Sequence, residues 1–144
     1  VWTAIFGALL GRLRPALILL GGAAATTAVN DLVLQRIIVR PGALRGDGIR
    51  QPDYFPSSHM VAICCVTAAA VMLVSLTGGS PRLVTAAVCA AGALSAAVGW
   101  ASVFLGAHYV LDVVAAVAVA AFGMAVTLAV ALRHGGLEAA PSRT

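Results

Sequence analysis

Long apolar runs alternate with short polar stretches along this chain, and the alternation sets its plan. Residues Pro15–Asn30, Met60–Pro81, Leu83–Ala107 and Val113–Leu132 carry no charge. A bilayer-crossing helix needs about 20 mainly apolar residues, so the last three runs qualify directly. The first qualifies when it continues past Asp31 to Val39, with Asp31 and Arg36 near one end. The pattern predicts an all-α fold, an integral-membrane helical bundle with four complete transmembrane helices. Ahead of them, Trp2, Ile5, Phe6, Leu9, Leu10 and Leu13 recur at the spacing of one helical face. That run is too short to span before Arg12 and Arg14. Residues 1–14 are therefore expected to form a partial helix, the stump of a truncated span, or an interfacial helix. The small opposite face (Ala4, Gly7, Ala8, Gly11) favours the stump. No basic segment precedes the run, as a secretory signal would require. The transmembrane core is expected over residues 15–132, followed by a polar C-terminal tail over 133–144.

The connectors differ in kind. Residues 40–58 form the only long polar loop, rich in Gly, Pro, Arg and Asp, whereas Gly78-Gly79-Ser80-Pro81 reads as a tight turn. Alternating the direction of each crossing puts the end of the first span, the long loop, the start of the second span and the corner between the third and fourth on one membrane face. Three polar clusters fall there: Arg40-Pro41, Pro56-Ser57-Ser58-His59, and His108 with Asp112. Titratable groups at span ends are costly unless they pair, face water or do chemistry. Clusters converging on one face mark a candidate site.

Composition narrows the class. With 61% hydrophobic and 10% charged residues and a mean hydropathy of +1.01, the chain lies outside the range of soluble globular domains. Its basic charge comes from nine arginines scattered along the chain, which is no nucleic-acid footprint. Arg12, Arg14, Arg82, Arg133 and Arg143 fall on one side, as cytoplasmic positive charge does. Arg36, Arg40, Arg45 and Arg50 fall on the other, against that rule. An anionic ligand would account for them, although Asp47 and Asp53 sit among them. Cys64, Cys65 and Cys89 lie within spans without metal-ligand spacing and read as free, apolar thiols. Small residues of the third and fourth spans (Ala90 to Ala93, Ser95 to Ala97, Gly99) would allow those helices to pack closely.

Each cluster has a chemical and a plain reading. His108 and Asp112 are four residues apart at the start of an expected helix, which places them on one face. A carboxylate beside an imidazole fixes its tautomer and suits a nucleophile or base; the pair equally serves as a helix cap. Ser57 or Ser58 is a natural N-cap after Pro56. The helix start then offers free N–H groups to an anion, with His59 placed to donate a proton. Alternatively, His59 is an interfacial side chain. Arg40 matches phosphate geometry, or anchors the span end by snorkelling. Two ligand-type residues do not make a metal site. Together, a cation, a helix N-terminus with an acid, and a His–Asp pair are the parts of phosphoryl transfer through a phosphohistidine.

In this set the chain resembles the type 2 phosphatidic acid phosphatase (PAP2) superfamily of membrane lipid phosphatases, whose signature is K-x6-R-P, then P-S-G-H, then S-R-x5-H-x3-D. Arg40-Pro41 matches the end of the first motif, and Pro56-Ser57-Ser58-His59 the second with Ser58 in place of Gly. His108 through Asp112 match the end of the third. The resemblance covers roughly residues 15–132. It departs at Val33, where the lysine is expected (a shorter gap would put Gln35 there, beside Arg36), and at Ser102, where the arginine is expected.

The resemblance implies His108 as nucleophile, Asp112 as its orienting partner and His59 as general acid, then base. Arg40, Ser57, Ser58 and its neighbouring N–H groups, Ser102 and Arg36 are implied as substrate-binding residues, with no metal or cofactor. The expected protein is a lipid phosphatase acting on a lipid phosphate or pyrophosphate, of polyprenyl pyrophosphate or phosphatidic acid type. Its site would face outward from a bacterial inner membrane, with the bilayer and the lipid substrate as partners. The alternative is a catalytically degenerate relative that binds lipid phosphate without turnover. A small transporter or channel subunit would instead place titratable groups at mid-membrane depth, and spans two to four carry none.

Overall fold

The computed structural model describes residues 2–38 and 55–134, with side chains from Leu13 onward. Arg40, Pro41, Arg45, Arg50, Asp47, Asp53 and the tail from residue 135 lie outside the described residues. The elements are α1 (Trp2–Val29), a π-helical turn (Asn30–Leu34), α2 (Gln35–Ile37), α3 (Ser58–Leu76), α4 (Pro81–Phe104) and α5 (Val110–Arg133). Four stretches are long and apolar enough to cross a membrane: Leu13–Ile37, Ser58–Leu76, Pro81–Phe104 and Val110–Arg133. The protein is an all-helical integral-membrane bundle.

The N-terminal segment is helical as expected, but it is not a separate element. The helix runs unbroken from Trp2 through Pro15 into the first span. Between α3 and α4, Gly78 takes a left-handed φ of 76°, and Ser80 caps α4 by accepting from the Leu83 N–H at 3.3 Å.

Helix α3 lies centrally, packed on α1, α4 and α5, while α1 also packs on α5. Its inward stripe (Val61, Cys65, Ala69) meets Leu19 and Ala23 of α1 and the stripe Ala116, Ala120, Met124 of α5. Each stripe repeats every fourth residue, the period that keeps one helix face inward. Helix α4 is peripheral: it leans on α3 and buries only Gly99. A Cβ at Gly99 would come within 3.0 Å of Val113 and 3.7 Å of Met60, so its absence lets α4 close on the starts of α3 and α5.

The tightest small-residue packing is not between the third and fourth spans. It joins α1 to α5, where a Cβ on Gly22 would overlap the Thr127 side chain and one on Gly123 would overlap Thr26. Each threonine hydroxyl bonds back to the carbonyl of the glycine one turn before it, Thr26 to Gly22 at 2.8 Å and Thr127 to Gly123 at 2.9 Å. The two helices thus exchange identical Gly-x3-Thr units. Small residues serve here as they do generally in lipid, where close contact replaces the hydrophobic effect as the source of helix association. The remaining small residues of α4 are mostly exposed, because that helix has only one protein neighbour to speak of.

Candidate active site

Three helix ends meet at one end of the bundle. The second cluster is set by the start of α3. Ser57 is the N-cap in extended conformation; its hydroxyl accepts from the Met60 N–H at 3.4 Å and its carbonyl takes the Val61 N–H at 2.9 Å. The N–H groups of Ser58 and His59 have no acceptor among the described residues. They sit at the positive end of the helix dipole, the arrangement that receives anions.

The third cluster is delivered by the way α4 ends. Gly106 adopts φ 66°, its N–H bonds to the Val103 carbonyl at 3.0 Å, and the Ala107 N–H bonds to the Ser102 carbonyl at 3.0 Å. This pair of bonds is a Schellman C-cap, which calls for glycine at its left-handed position. The His108 N–H shares the Ser102 carbonyl at 3.2 Å. His108 therefore precedes α5 rather than lying on its first turn. The expectation that His108 and Asp112 meet as helical i, i+4 neighbours is corrected accordingly: they meet across the helix start, with Tyr109 as N-cap. The Asp112 carboxylate reaches back to the Tyr109 N–H at 2.8 Å, the acidic half of a capping box. The same Oδ2 stands 3.4 Å from His108 Nδ1. Asp112 thus caps α5 and at the same time faces His108 Nδ1.

The far nitrogen of the imidazole, Nε2, lies 3.1 Å from Ser57 Oγ. Ser57 is fully buried, and the side chains of His108 and Asp112 are only 12% and 6% exposed. With a proton on Nδ1 facing the carboxylate, Nε2 presents its lone pair and accepts from the Ser57 hydroxyl. That is the tautomer a nucleophilic histidine needs.

Helix α1 contributes through its π turn. The Gln35 N–H bonds to the Asn30 carbonyl, five residues back. On an α-helix, residues five apart point about 140° away from each other; the wider turn brings them into line. Both amides then reach one atom, the Pro56 carbonyl, Asn30 Nδ2 at 3.2 Å and Gln35 Nε2 at 2.8 Å. Gln35 Nε2 also donates to Ser58 Oγ at 2.7 Å, and Asn30 Nδ2 to Asp31 Oδ1 at 3.0 Å. Asn30 is fully buried and its Oδ1 has no hydrogen-bond partner among the described residues. An orphaned buried carbonyl costs roughly 1–3 kcal/mol, and such costs collect at functional sites.

The remaining candidates divide. Val33, at the spacing expected for the first-motif lysine, is 43% exposed and points away, while Gln35 faces the site. Arg36 is exposed on α2 without a polar contact among the described residues. The Ser102 hydroxyl bonds to the Val98 carbonyl at 2.8 Å, so this residue supports the histidine-bearing turn through its backbone. His59 is exposed on the first turn of α3, and Arg40 lies outside the described residues. The described residues hold no group of three or more His, Cys, Asp or Glu suited to a metal ion. Reading the sequence missed Asn30 and Gly106. Their signals were an amide inside an apolar span and a glycine two residues before a histidine.

A membrane bundle that gathers a Ser–His–Asp chain beside a free helix N-terminus is a class defined by fold and site together. The family model of the PAP2 superfamily matches residues 1–135, and the chain belongs to that superfamily, which is phosphatase-type. No curated protein matches it, and no solved structure does.

Proposed function

We propose that the protein hydrolyses a lipid phosphate or pyrophosphate through a phosphohistidine formed on His108. The observation that carries this reading is the imidazole held between Asp112 Oδ2 at 3.4 Å and Ser57 Oγ at 3.1 Å, with Nε2 facing the start of α3. In the first step the phosphoryl group displaces the Ser57 hydroxyl from Nε2. The Nε2 lone pair forms the P–N bond as the P–O bond to the lipid breaks, and His59 gives its proton to the leaving oxygen. In the second step His59 takes a proton from water, whose oxygen attacks phosphorus. The P–N bond breaks, phosphate leaves, and the imidazole regains its lone pair. Two displacements replace one harder step. Phosphate oxygens are received by the Ser58 and His59 N–H groups, by Ser57 and by Arg40, while Arg36 adds long-range attraction.

A site at the membrane end of a bundle suits a substrate whose tail stays in lipid, such as a polyprenyl pyrophosphate or phosphatidic acid. Arg14 lies near the start of the first span, Arg82 near the start of α4 and Arg133 at the end of α5, away from the site, so the positive-inside tendency supports a site facing outward from a bacterial inner membrane. Catalytically inactive lipid-phosphate binding is the second reading. It is favoured by the exposed Val33 and by the Ser102 hydroxyl turned to its own helix.

The deciding experiment is phosphate release by detergent-purified protein on a panel of lipid phosphates and pyrophosphates. Release that His108→Ala abolishes and chelator leaves intact supports the phosphohistidine. Folded protein that releases nothing from any substrate on the panel selects the binder.

A further inference from the structure

The contacts of Gln35 do not fit a residue that touches substrate. A side-chain amide nitrogen has two hydrogens, and in Gln35 both are spent, one on the Pro56 carbonyl at 2.8 Å and one on Ser58 Oγ at 2.7 Å. Ser58 accepts this bond on one of its lone pairs, and its own hydrogen has no acceptor among the described residues. Ser58 is the first residue of α3, next to the two free N–H groups and next to Ser57, whose hydroxyl meets His108. The Pro56 carbonyl, held by both Asn30 and Gln35, fixes the peptide from which this helix start departs.

We propose that Gln35 is a positioning residue that aims the Ser58 hydroxyl into the anion cradle. Ser58 then serves as an additional neutral donor to a phosphate oxygen. This inference rests on reading this bundle end as a phosphate site. Gln35 acts only through Ser58 and Pro56, so the two residues form one device. The π turn exists in this account to align Gln35 with Asn30. A hydroxyl polarised by accepting from an amide is a better donor, because hydrogen bonds in a chain strengthen one another. The pair supplies hydrogen bonds without charge, Ser58 standing where the family's pattern has glycine and Gln35 two residues past the position of its lysine.

The test is a double-mutant cycle on the full chain in detergent with Ser58→Ala, Gln35→Leu and the double variant. Binding of inorganic phosphate is followed by calorimetry, and kcat/KM on the best lipid phosphate is measured alongside. Ser58→Ala should weaken phosphate about tenfold or more, the loss of one hydrogen bond to a charged group. Gln35→Leu should lose a similar factor, and the double variant should fall within about twofold of the weaker single, as coupled residues do. Losses that multiply, or a Ser58→Ala protein that binds phosphate as the parent does, overturn the proposal. If Gln35→Leu fails to fold, the half-exposed Ser58 still decides through Ser58→Ala and Ser58→Gly, each of which should weaken binding. A parent protein that binds phosphate without turnover refutes hydrolysis and leaves the cycle readable. A parent that neither binds nor turns over refutes both.

Discussion

Helix α5 is fixed at two places by opposite means. At its start, Asp112 holds Tyr109 and His108 through hydrogen bonds, and His108 holds Ser57. Past its midpoint, Gly123 and Thr127 lock against Thr26 and Gly22 through the absence of side chains. The upper contact is polar and carries an orphaned Asn30 oxygen close by. The lower one satisfies its hydroxyls within each helix and leaves the interface to shape. The difference separates two roles in one helix. Geometry for chemistry is concentrated at the end where polar groups are tolerated, and cohesion is concentrated where lipid forbids them.

That separation is open to test. The largest effect should come from His108→Ala, which removes the proposed nucleophile. Turnover should fall by on the order of 10⁴-fold or more, with the thermal midpoint in detergent close to the parent's. A matching loss of stability would erase the contrast between the two regions. Next, Asp112→Asn should lower kcat by roughly 10²–10⁴-fold, by analogy with carboxylates that orient a catalytic histidine. It should leave KM nearly unchanged, as steady-state kinetics on one lipid phosphate would show. Helix-start capping is weakened in the same variant, so a moderate drop in midpoint is also expected.

At the lower contact the signs reverse. Gly123→Val should destabilise the fold by about 1–3 kcal/mol through overpacking against Thr26, and Gly22→Val should match it against Thr127. Turnover per folded molecule should persist in both, measured as activity normalised to the folded fraction. Gly106→Ala lies between the regions: a Cβ at φ 66° costs about 1 kcal/mol or more. Because this turn delivers His108, activity should fall further than stability. The smallest stability change belongs to Asn30→Leu. It gives up its bonds to Pro56 and Asp31 but also removes the orphaned oxygen, so the midpoint should stay within a few degrees while kcat/KM declines. A large midpoint drop for Asn30→Leu would mean that Asn30 serves cohesion instead.

Four membrane spans, the tight turn at Gly78 to Pro81 and the gathering of the second and third clusters on one face were legible in the sequence. Hydrophobic run length and crossing parity are local or additive properties, and the bilayer leaves helices few alternatives. His108, Asp112 and Ser57 were legible as candidates through the ordered set of motifs they belong to, each motif alone having a plain structural reading as well. Gln35 stood out only as an alternative to Val33 at a shorter gap. Choosing between them required the π turn, a one-residue slip in register that apolar periodicity cannot report across five residues. The glycine contacts of α1 and α5 were equally hidden, because their partners lie about a hundred residues apart in a chain rich in small residues throughout.

The sequence by itself determined an all-helical membrane bundle with a polar end, since those features follow from where charge and oil fall along the chain. The tertiary structure alone decided which small residues form the interface, which amides reach Pro56 and how His108 arrives beside Ser57. Each of these depends on the rotation of one helix relative to another. That rotation is set by packing and capping summed over the whole bundle, and no single stretch of sequence contains it.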